Sequence, residues 1–219
     1  MRKILLLLCI LSITIGAKAQ LFGKHYDEGA YYDSVGVKHA GLISWEVPAP
    51  SIFKKKGDHI YYKPNKNADD VKINSTALTS FTMRRNEETV DSFVVSQNKK
   101  FEKAPFLKVV IANEVKLYSW TTMSQSSGMS MGTGFSVGAG VSGGKTTYFF
   151  GNGPEDLTEL NKKNFIEIMS QIMANKPEAV ARIKNKKLRY GDMDDLLYFY
   201  KYDVMPPAQA PDPFSGSNN

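Results

Sequence analysis

Cysteine is almost absent from this chain of 219 residues. The one thiol, Cys9, lies in an apolar run near the start, and no small residue directly precedes it as lipid attachment would require. A chain without further thiols cannot be held by disulfides, and it offers neither a cysteine nucleophile nor a thiolate metal site. The sequence after residue 9 therefore excludes these three kinds of chemistry.

Histidine is also scarce. The three histidines, His25, His39 and His59, do not have the spacing of an H-E-x-x-H motif, and we expect no metal ion. The G-x-S-x-G pattern of a nucleophile elbow occurs only at 128–132, 134–138 and 140–144, within a stretch so rich in glycine that such matches carry little weight. A pair of carboxylates can be assembled by a fold without leaving a sequence pattern, so the catalytic residues of any enzyme here stay unknown.

The first residues have the features of a secretory signal peptide. Arg2 and Lys3 precede an apolar run over 4–15, which is shorter than the about 20 residues that a membrane-spanning helix needs. Ala17 and Ala19 are the small residues that signal peptidase reads, which predicts a signal peptide over 1–19 and cleavage before Gln20. An uncleaved anchor is the alternative. We expect an exported protein that is periplasmic or extracellular, with association with the outer membrane as a further option.

The charge balance does not favour nucleic acid. The formal net charge is +6, and removal of the first 19 residues, which contain three basic residues and no acid, lowers it to +3. The lysines are scattered in short groups, whereas a nucleic-acid binder usually has a concentrated basic face. We therefore expect no nucleic-acid partner.

Residues from about 30 to 150 have the pattern of β-strands. Eight short runs are rich in β-branched and aromatic residues and are separated by turn formers. Because no helical pattern lies between them, we expect an antiparallel β barrel or sandwich-like unit. The predicted strands cover 41–47, 51–53, 59–62, 71–73, 78–83, 90–95, 106–112 and 115–122.

About three helices are predicted over 156–203, which makes the fold class α+β. Asn164 with Glu167 is a candidate cap of the first helix, Pro177 suits the first turn of the second, and Asp192 can cap the third. We predict one domain over 20–204 and a disordered Pro-rich tail over 205–219. Two apolar stripes are interpreted as core: Phe165, Ile168, Met169 and Ile172, then Met193, Leu196, Leu197 and Tyr200.

A glycine-rich stretch matches two nucleotide signatures. Residues 138–143 fit G-x-G-x-x-G, and 139–146 fit a relaxed phosphate loop that ends at Lys145 and Thr146. A phosphate loop needs a buried strand before it and a helix after it. Here Gly and Ser precede the motif, and the strand-like 146–150 follows it. We therefore predict neither a nucleotide nor another cofactor.

The same stretch alternates with period two. Its even positions from 128 to 144 are all Gly or Ser, while the odd positions from 129 to 141 are mostly larger. The insertion 124–145 is either a flexible loop or a hairpin that docks on a membrane or a partner. The candidate contact residues are Met129, Met131, Phe135, Val137 and Val141.

Three stretches carry a resemblance to a known group. These are YYDSVGVKHAGLI at 31–43, FLKVVIANEVKLY at 106–118 and LRYGDMDDLLYFY at 188–200. The chain resembles uncharacterised secreted proteins of Gram-negative bacteria. The resemblance implies a strand, a glycine turn and a second strand beginning at Gly41, within a β unit followed by helices, and it assigns no catalytic residue.

The lack of an H-E-x-x-H motif and of a cysteine nucleophile favours a noncatalytic exported envelope protein that binds a protein, a glycan or a membrane surface. The alternative is a hydrolase that acts on envelope polymers through a carboxylate pair. The sequence does not decide between periplasm and exterior, and it does not identify the ligand.

Overall fold

The computed structural model describes residues 24–47, 57–123 and 144–207, in which ten strands are followed by three helices. This α+β arrangement confirms the predicted fold class. The strands are β1 (Asp27–Asp33), β2 (Lys38–Ser44), β3 (His59–Lys63), β4 (Val71–Asn74), β5 (Leu78–Arg84), β6 (Val90–Val95), β7 (Phe106–Ala112), β8 (Lys116–Met123), β9 (Gly144–Gly151) and β10 (Thr158–Glu159). The helices are α1 (Phe165–Ile172), α2 (Pro177–Lys184) and α3 (Met193–Tyr202).

All ten strands belong to one sheet of order β10-β9-β8-β7-β6-β5-β1-β2-β3-β4, and all neighbours are antiparallel. The chain first builds a meander from β1 to β4 and then returns beside β1 to build a second meander from β5 to β10. The sheet has two edges, β4 and β10, so it does not close into a barrel.

The first hairpin differs from its prediction. We expected its second strand to begin at Gly41, but β2 begins at Lys38, and β1 begins at Asp27, ahead of residue 30. The carboxylate of Asp33 accepts hydrogen bonds from the backbone N–H groups of Val35 and Val37 at 3.0 and 2.9 Å. This turn lets the ladder resume with Lys38 opposite Tyr32.

Other boundaries are closer to their predictions. β6 and β7 have the predicted bounds, while the predicted strand at 51–53 lies outside the described residues. β9 begins at Gly144, two residues before the predicted strand and inside the predicted insertion 124–145. β9 also confirms that a strand, not a helix, follows the glycine-rich motif.

The helices begin as predicted, but two of the predicted side-chain caps do not form. Pro177 occupies the first turn of α2, as expected. Neither Asn164 nor Asp192 makes a side-chain cap hydrogen bond to α1 or α3. Each side chain instead accepts from a preceding backbone N–H, that of Asn161 at 2.8 Å for Asn164 and that of Arg189 at 2.9 Å for Asp192. Both polar side chains therefore stabilise the turn before the helix.

We call the side of the sheet that carries Tyr31, Ile43 and Phe81 the front face, and the side that carries Ala30, Ala40 and Thr82 the back face. Directly opposed residues point to the same side, and alternate residues point to opposite sides. The three helices pack on the front face of β7, β8 and β9 in one core cluster. Its largest members include Leu117, Tyr148, Leu160, Phe165, Met169 and Leu196.

A second core covers the front face of β1, β2, β5 and β6. Trp45 follows β2, and its ring centroid lies 4.7 Å from that of Phe93 and 6.0 Å from that of Phe106. Because β2 is separated from β6 by two strands, the chain after β2 bends across the front face. Trp45 thereby places an aromatic ring over residues of the second meander.

A third, smaller core covers the back face of β7, β8 and β9. The fully buried ring of Phe101 packs edge-on against Phe149 and Trp120, with centroids 5.1 and 5.3 Å apart. Leu157 lies against the same cluster. The two segments that connect β6 to β7 and β9 to β10 therefore close this part of the back face.

Candidate functional site

The back face of β1, β2 and β5 is open. Glu28, Lys38, Ala40 and Val90 on this surface are all exposed. None of the three core clusters covers this surface, which makes it a candidate ligand site. A cavity of about 510 Å³ lies here, bounded by β1, β2, β5, the start of β6 and the turn after β3. We call it the back-face pocket.

The floor of the back-face pocket is aliphatic. Ala30 and Thr82 stand side by side on β1 and β5, and Ala40 and Leu42 alternate on β2. Val90, which is 51% exposed, extends the apolar surface to β6. Small side chains at the centre leave the space that larger ones would fill, and none of the described residues that line the pocket is aromatic.

Two glycines draw the strands beneath this pocket together. Gly29 and Gly41 lie opposite each other in the β1–β2 ladder. A Cβ on Gly29 would stand 2.0 Å from the carbonyl oxygen of Thr82, and a Cβ on Gly41 would stand 2.3 Å from that of Lys63. Neither contact is possible for a real side chain, so these two positions require glycine for the close approach of neighbouring strands.

The rim of the back-face pocket is basic. Of the described residues that line it, Lys38, Lys66 and Arg84 are basic and Glu28 is acidic. Arg84 forms an ion pair with Glu28, with 3.9 Å between Nε and Oε2, and also donates a hydrogen bond to the carbonyl oxygen of Glu87 at 3.4 Å. Among the described residues, neither Lys38 nor Lys66 has a carboxylate within 4.0 Å. The rim therefore has two cations that no carboxylate of the described chain neutralises.

The turn of the first hairpin positions Lys38. His39 Nε2 lies 3.0 Å from Asp33 Oδ2, and the ring of Tyr31 stacks on that of His39 with centroids 4.6 Å apart. The hydrogen bond from His39, followed by those from the backbone of Val37 and Val35, lowers the pKa of Asp33. These contacts hold the start of β2 in register, which sets the backbone position of Lys38.

The loop that carries Lys66 is anchored at its far end by Asp70. Lys24 forms an ion pair with the Asp70 carboxylate, and the Tyr26 hydroxyl donates to the same oxygen at 2.7 Å. These hydrogen bonds, that from Lys24 first, lower the pKa of Asp70. Lys24 Nζ also lies 3.3 Å from the ring centroid of Tyr61. Lys24 and Tyr26, which precede β1, therefore hold in place the loop that forms one wall of the back-face pocket.

A pair of carboxylates exists elsewhere, on the front face. Arg85 bridges Asp27, at 2.7 Å from Nη1 to Oδ2, and Asp91, at 3.0 Å from Nε to Oδ2. Lys108 Nζ binds the other oxygen of Asp91 at 2.6 Å. Asp91 is 5% exposed. Both oxygens of Asp91 are thus held by cations in the protein interior, which suits a structural ion network rather than a general acid or base open to a polymer.

The three histidines are placed apart, and each stands beside an aspartate. His25 and Asp27 lie 2.9 Å apart, His39 and Asp33 3.0 Å, and His59 and Asp58 3.1 Å. Within the described parts of the chain, no three potential metal ligands come together. In the same parts, none of the helices has the length and apolar character needed to cross a membrane.

The contact residues predicted from the glycine-rich stretch, Met129, Met131, Phe135, Val137 and Val141, lie outside the described residues. Lys145, the candidate phosphate ligand, lies in β9 opposite Thr122 on β8. Its position in a regular antiparallel ladder differs from that of a phosphate-loop lysine, which opens a helix.

Sequence reasoning missed the back-face pocket. The available signal was the alternation of Lys38, Ala40 and Leu42, which places one cation and two aliphatic residues on one side of a strand. Our expected strand began at Gly41, and this excluded Lys38 and Ala40. Arg84 could not be assigned to the same site without knowledge that β5 lies beside β1, and Lys66 could not be assigned to it without knowledge that β3 lies beside β2.

Comparisons with protein families, with curated proteins and with solved structures find no match to this chain. The residues of the pocket are therefore interpreted from their own chemistry.

Proposed function

We propose that the chain is a noncatalytic exported protein of the cell envelope that binds an envelope component in the back-face pocket. The observation that carries the proposal is an exposed cavity with an aliphatic floor and a basic rim, on a part of the sheet that none of the three core clusters covers. Pockets of this size are typical of ligand sites. Two lysines without a neighbouring carboxylate favour an anionic ligand.

The alternative of a hydrolase receives no comparable support. Asp27 and Asp91 share one partner, Arg85, which forms an ion pair with each carboxylate. Glu28 is the one acid among the described residues that line the pocket. A retaining or inverting polymer hydrolase needs two carboxyl groups that face one cleft.

The binding proposal is tested with Ala40→Glu. Ala40 is exposed on the floor of the pocket, so a glutamate there fills the space and opposes an anionic ligand without entering any core. Immobilised wild-type protein should retain a component of a fractionated envelope extract that the Ala40→Glu protein does not. A matched control is Ser34→Glu, which places the same charge on the exposed hairpin turn outside the pocket. Equal retention by all three proteins would refute this use of the pocket.

Export is tested separately by the intact mass of the protein in the periplasmic or extracellular fraction. A mass that corresponds to a start at Gln20 is expected. A mass that retains residues 1–19 would contradict the predicted cleavage.

A second contact surface, the odd-numbered residues of the 124–145 insertion, stays a prediction. Hydrogen exchange with and without lipid vesicles or envelope extract tests it, because docking should slow exchange only when the partner is present. Fast exchange in both conditions would leave a passive loop.

A further inference from the structure

The proposed ligand site has enough detail to indicate one class of ligand. We infer that the back-face pocket binds a segment of a carboxylated polysaccharide, such as a short chain of uronic acids. This inference rests on the proposed function, and it concerns only which envelope component the pocket takes.

The positions of the cations indicate an extended ligand. Glu28 lies opposite Leu42 on β2 and next to Arg84 on β5, whereas Lys38 lies opposite Tyr32. Lys38 and Arg84 are therefore separated by four residues along the strands, about 13 Å, and by two strand spacings, about 10 Å. Lys66 follows β3, which pairs with β2, so it lies on the same side of the pocket as Lys38. A linear chain with several anionic groups can meet cations at both ends of such a pocket, but one small ion cannot.

The groups between the cations suit hydroxyl-bearing rings. Asn65 uses its carbonyl oxygen to accept from the Asn67 backbone at 3.0 Å, which turns its NH₂ group toward other acceptors. Glu28 and Thr82 add a carboxylate and a hydroxyl beside the aliphatic floor. Carboxylates could therefore pair with Lys38, Lys66 and Arg84, while ring hydroxyls bind these polar groups and ring faces lie on Ala40 and Leu42.

Other polyanions fit this arrangement less well. An acidic peptide that crossed the face of a sheet would leave its own backbone N–H and C=O groups without the ladder that a sheet edge provides. An anionic membrane surface would be served by a protruding basic patch, whereas these cations surround a cavity. Nucleic acid usually requires a broader basic face.

The test is calorimetric titration of the exported form with trigalacturonate at low ionic strength, with neutral trigalactose as the uncharged control. We expect binding of the acidic trimer only, and weaker binding as salt is added. Lys38→Gln, Lys66→Gln and Arg84→Gln should each weaken binding by about two- to five-fold, as expected when one exposed ion pair is removed. Lys162→Gln, which removes an exposed lysine outside the pocket, should have no effect.

Three outcomes would overturn the inference. These are no binding of trigalacturonate to folded wild-type protein, an equal loss in the Lys162→Gln control, and preferential binding of polyglutamate or of vesicles that contain anionic lipid. Circular dichroism of each variant shows whether it is folded. If Ala40→Glu abolishes retention of an envelope component but trigalacturonate does not bind, only the ligand class is wrong and the binding function stands.

Discussion

The side-chain amide of Asn113 donates a hydrogen bond to the carbonyl oxygen of Ile172, at 2.6 Å. Asn113 lies in the turn between β7 and β8, and Ile172 is the last residue of α1. The same Nδ2 lies 3.1 Å from the hydroxyl of Tyr200 on α3. One side chain of the sheet therefore satisfies a carbonyl at a helix end and contacts a second helix, which joins the β and helical parts of the fold.

We predict that Asn113→Ala lowers the free energy of unfolding by about 1–3 kcal/mol, because the Ile172 carbonyl loses its side-chain partner in a partly buried position. Urea denaturation followed by circular dichroism measures this change. The control is Asn67→Ala, an exposed turn asparagine whose side chain makes no hydrogen bond within the described residues. Similar losses in the two variants would show that the Asn113 contact has no special role.

The buried ion network predicts a large effect at Asp91. Asp91→Ala leaves Arg85 and Lys108 without the carboxylate that binds both, and removal of one partner of a buried ion pair costs about 3–5 kcal/mol. The comparison variant is Glu159→Ala, which breaks the exposed pair with Lys100 and should cost at most about 1 kcal/mol. Equal values from urea unfolding of the two variants would contradict the assignment of Asp91 to the interior.

The close approach of strands at Gly29 is tested by Gly29→Ala. The added Cβ would meet the Thr82 carbonyl oxygen at 2.0 Å, so β1 and β5 must separate, and we expect a loss of roughly 1–3 kcal/mol from overpacking. Gly153→Ala is the matched control, because a Cβ there has no atom within 4 Å. It should be neutral within about 0.5 kcal/mol. A neutral Gly29→Ala protein would mean that the two strands are not this close.

The lowered pKa of Asp33 predicts how acid affects the first hairpin. A carboxyl group whose folded-state pKa lies below its unfolded value contributes stability above the unfolded value, and this is lost as pH falls through the folded pKa. The contribution of Asp33 should therefore persist at neutral pH and disappear only below its ordinary value of 3.8. Carbon-detected NMR titration of the carboxyl group measures the pKa directly.

The comparison for Asp33 is Asp33→Asn, which keeps a side-chain acceptor for Val35 and Val37 but removes the charge beside His39. The difference in stability between wild type and this variant should shrink as the pH falls through the lowered pKa. A midpoint at or above the ordinary value would contradict the hydrogen-bonding pattern of the hairpin.

The position of Lys145 in β9 predicts that nucleotides do not stabilise the protein. ATP, GTP and NAD should leave the melting temperature unchanged, whereas a ligand at about 100 times its dissociation constant would add roughly 2.7 kcal/mol. Lys145 is exposed, so Lys145→Ala should change the stability by no more than about 0.5 kcal/mol. A nucleotide-dependent shift that Lys145→Ala removes would show that the glycine-rich motif binds phosphate.

Local sequence patterns determined most of the elements of this fold. β6 and β7 have the predicted bounds because their apolar and β-branched residues are enclosed by turn formers, and this information lies within a few residues. The stripe of Phe165, Met169 and Ile172 likewise determined α1 and its buried side. The predicted start of β2 differs from the observed one because the turn before it depends on hydrogen bonds to Asp33, which composition does not reveal.

Only the tertiary structure decided the neighbours of each strand, and with them the pocket. β1 pairs with β5 as well as β2, which brings Arg84 beside Glu28 and places Lys38 around the same cavity. The pairing of β2 with β3 adds Lys66, in the turn after β3. The pairing of β1 with β5 also decides that Arg85 meets both Asp27 and Asp91. Period-two alternation tells which residues share a side of one strand, but it contains no information on which distant strand lies next to it. That choice depends on long-range packing of the whole sheet, so the sequence alone determined the elements and the tertiary structure determined the candidate site.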